Sequence, residues 1–150
     1  PWDQTGRTNK LPLSQWTAWG VTRPDGSPLG DNGLKAGLAL PQGRKGPAFL
    51  TYENFDVYLE WNQSFTYALT AATLATRLAG APPFDPRSPE PGLNADQMKA
   101  LQTKLEARDH DVGTVDGILG TNTREAIRKE QTRLGLPVDG WPTAELLGKL

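Results

Sequence analysis

The stretch that decides the fold is "VGTVDGILGTNTREAIRKEQTRLGLPVDGW", residues 112–141, in which the triplet VDG occurs twice. Each Asp-Gly pair predicts a turn, because an Asp side chain can bond the backbone that follows it and Gly tolerates a positive φ. Val115 and Ile118 flank the first turn, and Val138 and Trp141 flank the second. The segment therefore predicts one helix–turn unit used twice, and it contains no evident catalyst.

Helix-start patterns around the two turns complete a small three-helix unit. Asn94, with Gln97 three positions later, is typical of a capping box that starts a first helix. Asn122 with Glu125 predicts the start of a second helix, and "TAELLGKL" predicts a third. We expect this unit to span residues 93–150. A domain of that size buries only about 60% of its unfolded surface and is marginal alone.

A proline-rich segment precedes this unit. Residues 81–92, "APPFDPRSPEPG", contain five prolines. Because proline fixes φ and lacks a backbone donor, the segment predicts an extended linker without regular structure. At about 3.1 Å per residue it would reach roughly 35 Å. It divides the chain into residues 1–80 and residues 93–150.

The first part mixes short elements. "SQWTAWG" predicts a short helix capped by Ser14 and ended by Gly20. "LALPQGRKGPAFLTY" predicts two short strands joined by a loop, and "ENFDVYLEW" predicts a helix. The chain is therefore expected to be mainly α, with a short β element.

The most informative element is a predicted helix that starts at Ser64 and stops before Gly80. Apolar residues cover most of its circumference, and its polar stripe consists of Thr66, Thr70, Thr73 and Arg77. An exposed stripe is normally rich in Lys and Glu, so this one predicts burial on nearly every side. Residues 1–60 contain too few apolar segments to enclose it. We therefore expect neighbours from an upstream part of the same protein, since the chain also begins at Pro1 and not at Met.

The charge balance argues against several classes of function. The chain has 16 basic and 17 acidic residues and no basic stripe, so a nucleic-acid partner is not expected. The longest uncharged run, residues 61–76, is too polar for a spanning helix, which needs about 20 mostly apolar residues. We expect no transmembrane segment.

Residue content also limits metal and cofactor chemistry. There is no cysteine, and His110 is the only histidine, which excludes a thiolate site and a multi-histidine zinc site. We expect His110 to be a surface residue. Asp109 and Asp111 fit two calcium-loop positions, but Thr114 stands where that loop needs Gly. No metal and no cofactor are expected.

Residues 101–140 resemble the peptidoglycan-binding domain that is appended to bacterial cell-wall hydrolases. The matching positions are Leu101–Gln102, Asp116–Gly117, Gly120, Thr123, Ala126–Ile127, Gln131 and Gly135–Leu136. That family usually has an aromatic residue immediately before the glutamine, where this chain has Glu130. The resemblance implies wall binding, with Asp116, Arg124 and Gln131 as candidate contact residues. Taken alone, the Asp-Gly pairs favour purely structural turns.

Residues 46–80 resemble the C-terminal end of the catalytic domain of B-type lytic transglycosylases, which is mostly helical and lysozyme-like. The matching features are Pro47–Leu50, Asn54–Phe55 and the W-N-x-S-x-x-Y-A run from Trp61 to Ala68. That family cuts the bond between N-acetylmuramic acid (MurNAc) and N-acetylglucosamine (GlcNAc) in peptidoglycan and leaves 1,6-anhydro ends. A single Glu acts as both acid and base, which differs from the usual carboxylate pair.

The resemblance places Trp61, Asn62 and Tyr67 in the substrate cleft. Asn62 has both donor and acceptor groups, so it could hold an N-acetyl group; its alternative role is to cap the following helix. The family's catalytic Glu lies upstream of the matched region. Glu53, Asp56 and Glu60 do not occupy its position, so we expect no catalytic residue within this chain.

These patterns together predict the C-terminal part of a periplasmic lytic transglycosylase, soluble or associated with the outer membrane. Residues 1–80 would be the end of its catalytic domain, residues 81–92 a linker and residues 93–150 a peptidoglycan-binding domain. Its partners would be the glycan strands of peptidoglycan and the upstream part of the same protein. The linker would tether the module at an effective concentration on the order of mM. Two alternatives remain: a non-catalytic peptidoglycan-binding protein, and a wall amidase or peptidase that carries the same module.

Overall fold

The computed structural model describes residues 1–150, and it is mainly α with one small sheet, as predicted. No helix has both the length and the apolar composition needed to cross a membrane. The strands are β1 Gly6–Pro12, β2 Lys35–Ala39 and β3 Phe49–Thr51, and the helices are α1 Leu13–Ala18, α2 Glu53–Trp61, α3 Phe65–Leu78, α4 Ala95–Glu106, α5 Thr121–Arg133 and α6 Ala144–Lys149. A short 3-10 helix, Trp2–Gln4, precedes β1.

The sheet is antiparallel, with strand order β1-β2-β3. The hairpin of β2 and β3 agrees with the two predicted strands, but β1 was not predicted. Its sequence, "GRTNKLP", has a single large aliphatic residue and no apolar alternation. Helix α1 packs on this sheet through Trp16, which is 1% exposed and whose indole N–H donates to the carbonyl of Ala36 at 2.8 Å.

Two predicted helix caps are wrong. Ser14 lies inside α1, which begins directly after Pro12, and Pro12 makes no side-chain cap. Asn122 lies inside α5, which begins after Gly120. The Asn122 side chain instead donates to the carboxylate of Asp111 at 2.9 Å, so a tertiary hydrogen bond replaces the local one.

Helix α3 begins as predicted, because the Ser64 side chain accepts a hydrogen bond from the Tyr67 backbone N–H at 3.3 Å. Residues 1–150 do not enclose it. Only Ala68 is fully buried, while Leu74 and Leu78 are 57% and 82% exposed. What covers those apolar side chains stays a prediction.

A buried glutamine anchors the first VDG turn. Gln102 of α4 is 0% exposed, and its side-chain carbonyl accepts from the Gly117 N–H at 2.9 Å. Its amide nitrogen contacts the carbonyl of Ile118 at 3.1 Å and the hydroxyl of Thr123 at 3.2 Å. Gly117 has φ of 84°, a conformation that favours glycine.

The second turn repeats this arrangement. Gln131 of α5 is 4% exposed; its carbonyl accepts from the Gly140 N–H at 2.8 Å, and its amide donates to Asp139 at 2.9 Å. In each copy the Asp carboxylate also accepts from the N–H two residues later, on Ile118 at 2.8 Å and on Trp141 at 3.0 Å. The two VDG triplets therefore form two turns of the same kind. Each turn is held by a glutamine side chain from the helix that precedes it.

The three predicted helices pack around one apolar core in residues 93–150, whose buried members are Met98, Leu101, Leu105, Val112, Ala126, Ile127 and Leu146. The capping box of Asn94 and Gln97 is present as predicted. The expectation that His110 is a surface residue is correct only in part, because the residue is half-buried. Its side chain is only 16% exposed, because its Nε2 lies 2.8 Å from the carboxylate of Glu130.

Glu130 is 3% exposed, and its second carboxylate oxygen pairs with Arg133 at 2.6 Å. Burial raises the pKa of Glu130, but the hydrogen bonds from Arg133 and His110 outweigh this and hold it below the ordinary value. The two basic partners thus allow a carboxylate to occupy this interior position.

Replacing Gln102 by Leu should lower the free energy of unfolding by at least about 2 kcal/mol, because a stranded buried polar group costs about 1–3 kcal/mol. Urea unfolding followed by circular dichroism measures the loss. The matched control is Thr103→Val, an exposed neighbour whose hydroxyl bonds only the Lys99 carbonyl of its own helix. Equal losses in both variants would contradict the anchoring role.

Glu130→Gln should reduce the dependence of stability on pH in acid. A carboxylate with a lowered pKa stabilises the fold above its ordinary value of 4.5, and that contribution is lost as the pH falls through the lowered pKa. Wild-type stability should therefore fall more steeply than that of the variant between about pH 5 and pH 3. Urea unfolding at a series of pH values gives both slopes, and parallel slopes would refute the assignment.

Candidate functional site

Trp61 and Tyr67 form an exposed aromatic pair at the junction of α2 and α3. Trp61 is the last residue of α2 and is 74% exposed, while Tyr67 lies in the first turn of α3 and is 48% exposed. Their ring centroids are 5.7 Å apart, with an interplanar angle of 46°. Such faces are suited to stacking against the apolar side of a sugar ring, and a role of these residues in substrate binding stays a prediction.

Asn62 lies between the two rings in sequence and caps α2 at its C-terminal end. Its side-chain carbonyl accepts from the Ser64 N–H at 2.9 Å. Its amide nitrogen donates to no group of the chain. The alternative role as the cap of α3 belongs to Ser64, while the Asn62 carbonyl holds the turn before that helix and its amide nitrogen is available to a ligand.

The carboxylates nearest to this junction have other surroundings. Asp56 forms ion pairs with Arg7 at 3.2 Å and with Lys10 at 3.1 Å. Glu53 and Glu60 are exposed. None of the three lies in the apolar setting that a general acid requires.

Two arginines of α5 join the C-terminal part of the chain to the N-terminal part. The Arg124 guanidinium donates to the carbonyl of Pro41 at 3.0 Å and contacts those of Leu40 at 3.5 Å and Gly140 at 3.4 Å. Burial lowers the pKa of Arg124 to about 10, although the charge of Asp139 acts in the opposite direction. A buried cation that is bonded to carbonyls from both parts fixes their relative position.

Arg128, one turn further along α5, makes the second connection. Its guanidinium donates to the carbonyls of Asp3 at 2.9 Å and Thr5 at 2.8 Å, and to that of Val138 at 3.1 Å. Arg124 and Arg128 therefore bind main-chain carbonyls both in residues 3–41 and beside the second VDG turn.

The second VDG turn itself completes this interface. The Asp139 carboxylate accepts from the Arg44 backbone N–H at 2.9 Å. Trp141 packs so closely on Gly43 that an added Cβ there would lie 2.7 Å from the Trp141 Cβ. Its indole N–H donates to the carbonyl of Glu90 at 2.9 Å.

The proline-rich segment has no regular secondary structure, as predicted, but it is not a free tether. Besides the bond from Trp141, Glu90 forms an ion pair with Lys45 at 2.6 Å. Phe84 packs edge-on against Phe49, with centroids 5.3 Å apart. Contacts at both ends thus hold the segment against the N-terminal part, which the composition of the segment does not predict.

The three residues predicted to contact the wall have structural roles in the chain. Asp116 is exposed, but its carboxylate accepts from Ile118; this hydrogen bond lowers the Asp116 pKa. Arg124 lies in the interface, and Gln131 is buried behind the second turn. Their participation in wall binding stays untested.

Sequence reasoning missed Arg128, Asp139 and Trp141 as interface residues. One signal was available: Arg124 and Arg128 are four positions apart on a helix, so they share one face. Their carbonyl partners are main-chain atoms of Asp3, Thr5 and Pro41, which no side-chain pattern identifies.

Both parts of the chain match known family models. Residues 1–76 match the family model described as "Transglycosylase SLT domain", and the chain belongs to that family. Residues 94–150 match the model described as "Putative peptidoglycan binding domain". A comparison with curated proteins found no match.

Solved structures of SltB3 from Pseudomonas aeruginosa are similar to both parts of the chain. The complex with NAG-anhNAM-pentapeptide is 41% identical, with a TM-score of 0.79 over 99% of this chain and 40% of that one. The complex with NAG-NAM-pentapeptide is 43% identical, with a TM-score of 0.75 over 95% of this chain and 39% of that one. The chain thus spans about 40% of the length of the structures that it matches.

The double variant Arg124→Ala/Arg128→Ala should release the C-terminal part and the proline-rich segment. Trypsin should then cut after Arg87, an exposed residue in that segment, several times faster than in the wild type. Mass spectrometry of timed digests measures the fragment of residues 1–87. Lys129→Ala, which removes an exposed cation of the same helix, is the control and should leave the rate unchanged. An unchanged rate in the double variant would contradict the interface.

Proposed function

We propose that this chain is part of a lytic transglycosylase that cleaves the MurNAc–GlcNAc bond of peptidoglycan and leaves 1,6-anhydromuramoyl ends. Its C-terminal module would hold the enzyme on the cell wall. The proposed site of action is the periplasm, with the protein soluble or associated with the outer membrane.

The observation that carries this proposal is the junction of α2 and α3 in a chain of the transglycosylase family. Trp61 and Tyr67 present two aromatic faces within 5.7 Å, and the amide nitrogen of Asn62 between them is free. An aromatic pair beside an amide donor suits an N-acetylated sugar, since one binds the ring face and the other the acetamido oxygen.

The proposed chemistry needs a carboxylic acid that residues 1–150 do not supply, and we assign it to an upstream part of the same protein. That Glu protonates the glycosidic oxygen as the bond from the MurNAc anomeric carbon to that oxygen breaks. The resulting carboxylate then takes the proton of the muramoyl 6-hydroxyl, whose oxygen forms the new bond to the anomeric carbon. One proton is returned to the acid, and no water is consumed.

In this scheme Asn62 orients the N-acetyl group, and Trp61 with Tyr67 holds the sugar ring. The upstream part would also cover Leu78, the most exposed apolar side chain of α3. A wall-binding protein without catalysis, or an amidase that carries the same module, has no need of the junction of Trp61, Asn62 and Tyr67.

Replacing Asn62 by Ala in the complete protein should lower turnover on purified peptidoglycan by roughly tenfold or more, the scale of about 1.4 kcal/mol of transition-state stabilisation. Binding to insoluble peptidoglycan should stay nearly intact. Gln63→Ala, an exposed neighbour, serves as the control. Equal losses of turnover and wall binding would refute this division of roles.

Mass spectrometry of the soluble products tests the reaction type. Intramolecular attack predicts muropeptides lighter by one water than hydrolysis products. Products that carry the additional water would exclude the transglycosylase reaction, and cleavage between sugar and peptide would support the amidase alternative.

A further inference from the structure

A groove of about 760 Å³ separates α3 from the C-terminal part of the chain. One wall is the face of α3 that carries Thr66, Thr70, Thr73 and Arg77, and the opposite wall is the first VDG turn at residues 117–119. None of Trp61, Asn62 and Tyr67 lines it. Its volume lies within the range of roughly 300–1,000 Å³ that is typical of ligand sites.

Two hydroxyls of the threonine wall, those of Thr70 and Thr73, can accept hydrogen bonds but already donate their own protons within α3. The hydroxyl of Thr70 donates to the carbonyl of Thr66 at 2.8 Å, and that of Thr73 donates to the carbonyl of Leu69 at 2.7 Å. Each hydroxyl has one proton, so its oxygen is left with lone pairs only. A complementary ligand would therefore supply N–H or O–H groups to the oxygens of Thr70 and Thr73.

The charged residues of the groove are all cationic, so they favour an anionic group on the ligand. Arg77 and Arg124 line it, and no carboxylate does. Arg124 is committed to main-chain carbonyls, whereas Arg77 is exposed and uses only Nη1, toward the carbonyl of Ala81 at 2.6 Å. The available cation therefore favours an anionic group near the C-terminal end of α3.

The side of the groove formed by residues 117–119 adds an apolar contact. Ile118 occupies in the first repeat the position that Trp141 has in the second. Trp141 is used in the interface, but Ile118 is 67% exposed and faces the groove. This exposed branched side chain lines the groove together with Leu69 and Leu74 of α3, which suits a ligand with small apolar side chains.

We propose that this groove binds the peptide stem of peptidoglycan. Peptide N–H groups would donate to Thr70 and Thr73, alanine methyl groups would pack on Ile118, and a terminal carboxylate would pair with Arg77. This inference rests on the proposed function for the identity of the polymer, but it concerns a different part of that polymer and different residues.

The test is titration of the chain of residues 1–150, followed by NMR, with three probes. The probes are a synthetic pentapeptide stem with a free C-terminal carboxylate, the same peptide as its C-terminal amide, and the peptide-free disaccharide. The free peptide should shift amide resonances of α3 and of residues 117–119. Thr73→Val and Arg77→Gln should each raise its Kd at least about fivefold, the loss of one modest hydrogen bond.

Thr76→Val is the matched control, because Thr76 lies on α3 outside the groove and bonds only the carbonyl of Thr73. It should leave the Kd unchanged, and the peptide amide should bind more weakly than the free acid. Three results would overturn the inference: binding of the disaccharide in place of the peptide, absence of peptide binding, and equal Kd values for the wild type, Thr73→Val and Arg77→Gln. Since anhydro-product formation by the complete protein is measured separately, failure here would leave the proposed function standing.

Discussion

The structure depends on two buried glutamines that satisfy the backbone of two glycine turns. A turn exposes N–H groups that neither a helix nor a strand can pair, and leaving them buried and unpaired costs about 1–3 kcal/mol each. Gln102 and Gln131 remove that cost at Gly117 and Gly140. The same hydrogen bonds hold the second turn in the conformation in which Asp139 and Trp141 contact Arg44 and Gly43. The bonds that pair the turn's backbone therefore also help to position the two parts of the chain.

The contacts between the two parts of the chain bear on how the C-terminal module acts. A module on a flexible linker raises the effective concentration of the enzyme at its polymer, but the orientation of the module is not fixed. Here Arg124, Arg128 and Trp141 contact residues of the N-terminal part and the segment that joins the two. The module therefore has a defined position beside α3. A ligand bound to the module consequently has a defined position relative to the junction of Trp61, Asn62 and Tyr67.

Much of this could be predicted from the sequence, because the strongest signals are local. The cap of Ser64, the capping box of Asn94 and Gln97, the helix periods and the Asp-Gly turns involve residues close in sequence. The errors come from distant partners. Strand β1 is held by β2, Asn122 bonds Asp111, and His110 is drawn inward by Glu130 twenty residues away. The proposed site could be located only through family resemblance, since no local pattern pairs Trp61 with Tyr67.

The central claim is that residues 1–80 and 93–150 tumble as one body, and ¹⁵N relaxation of backbone amides tests it most directly. We expect one rotational correlation time for ordered amides of α3 and α5 alike, with Arg87 and its neighbours no more mobile than an ordinary loop. Two distinct, shorter correlation times, together with a highly mobile segment between the parts, would contradict the account.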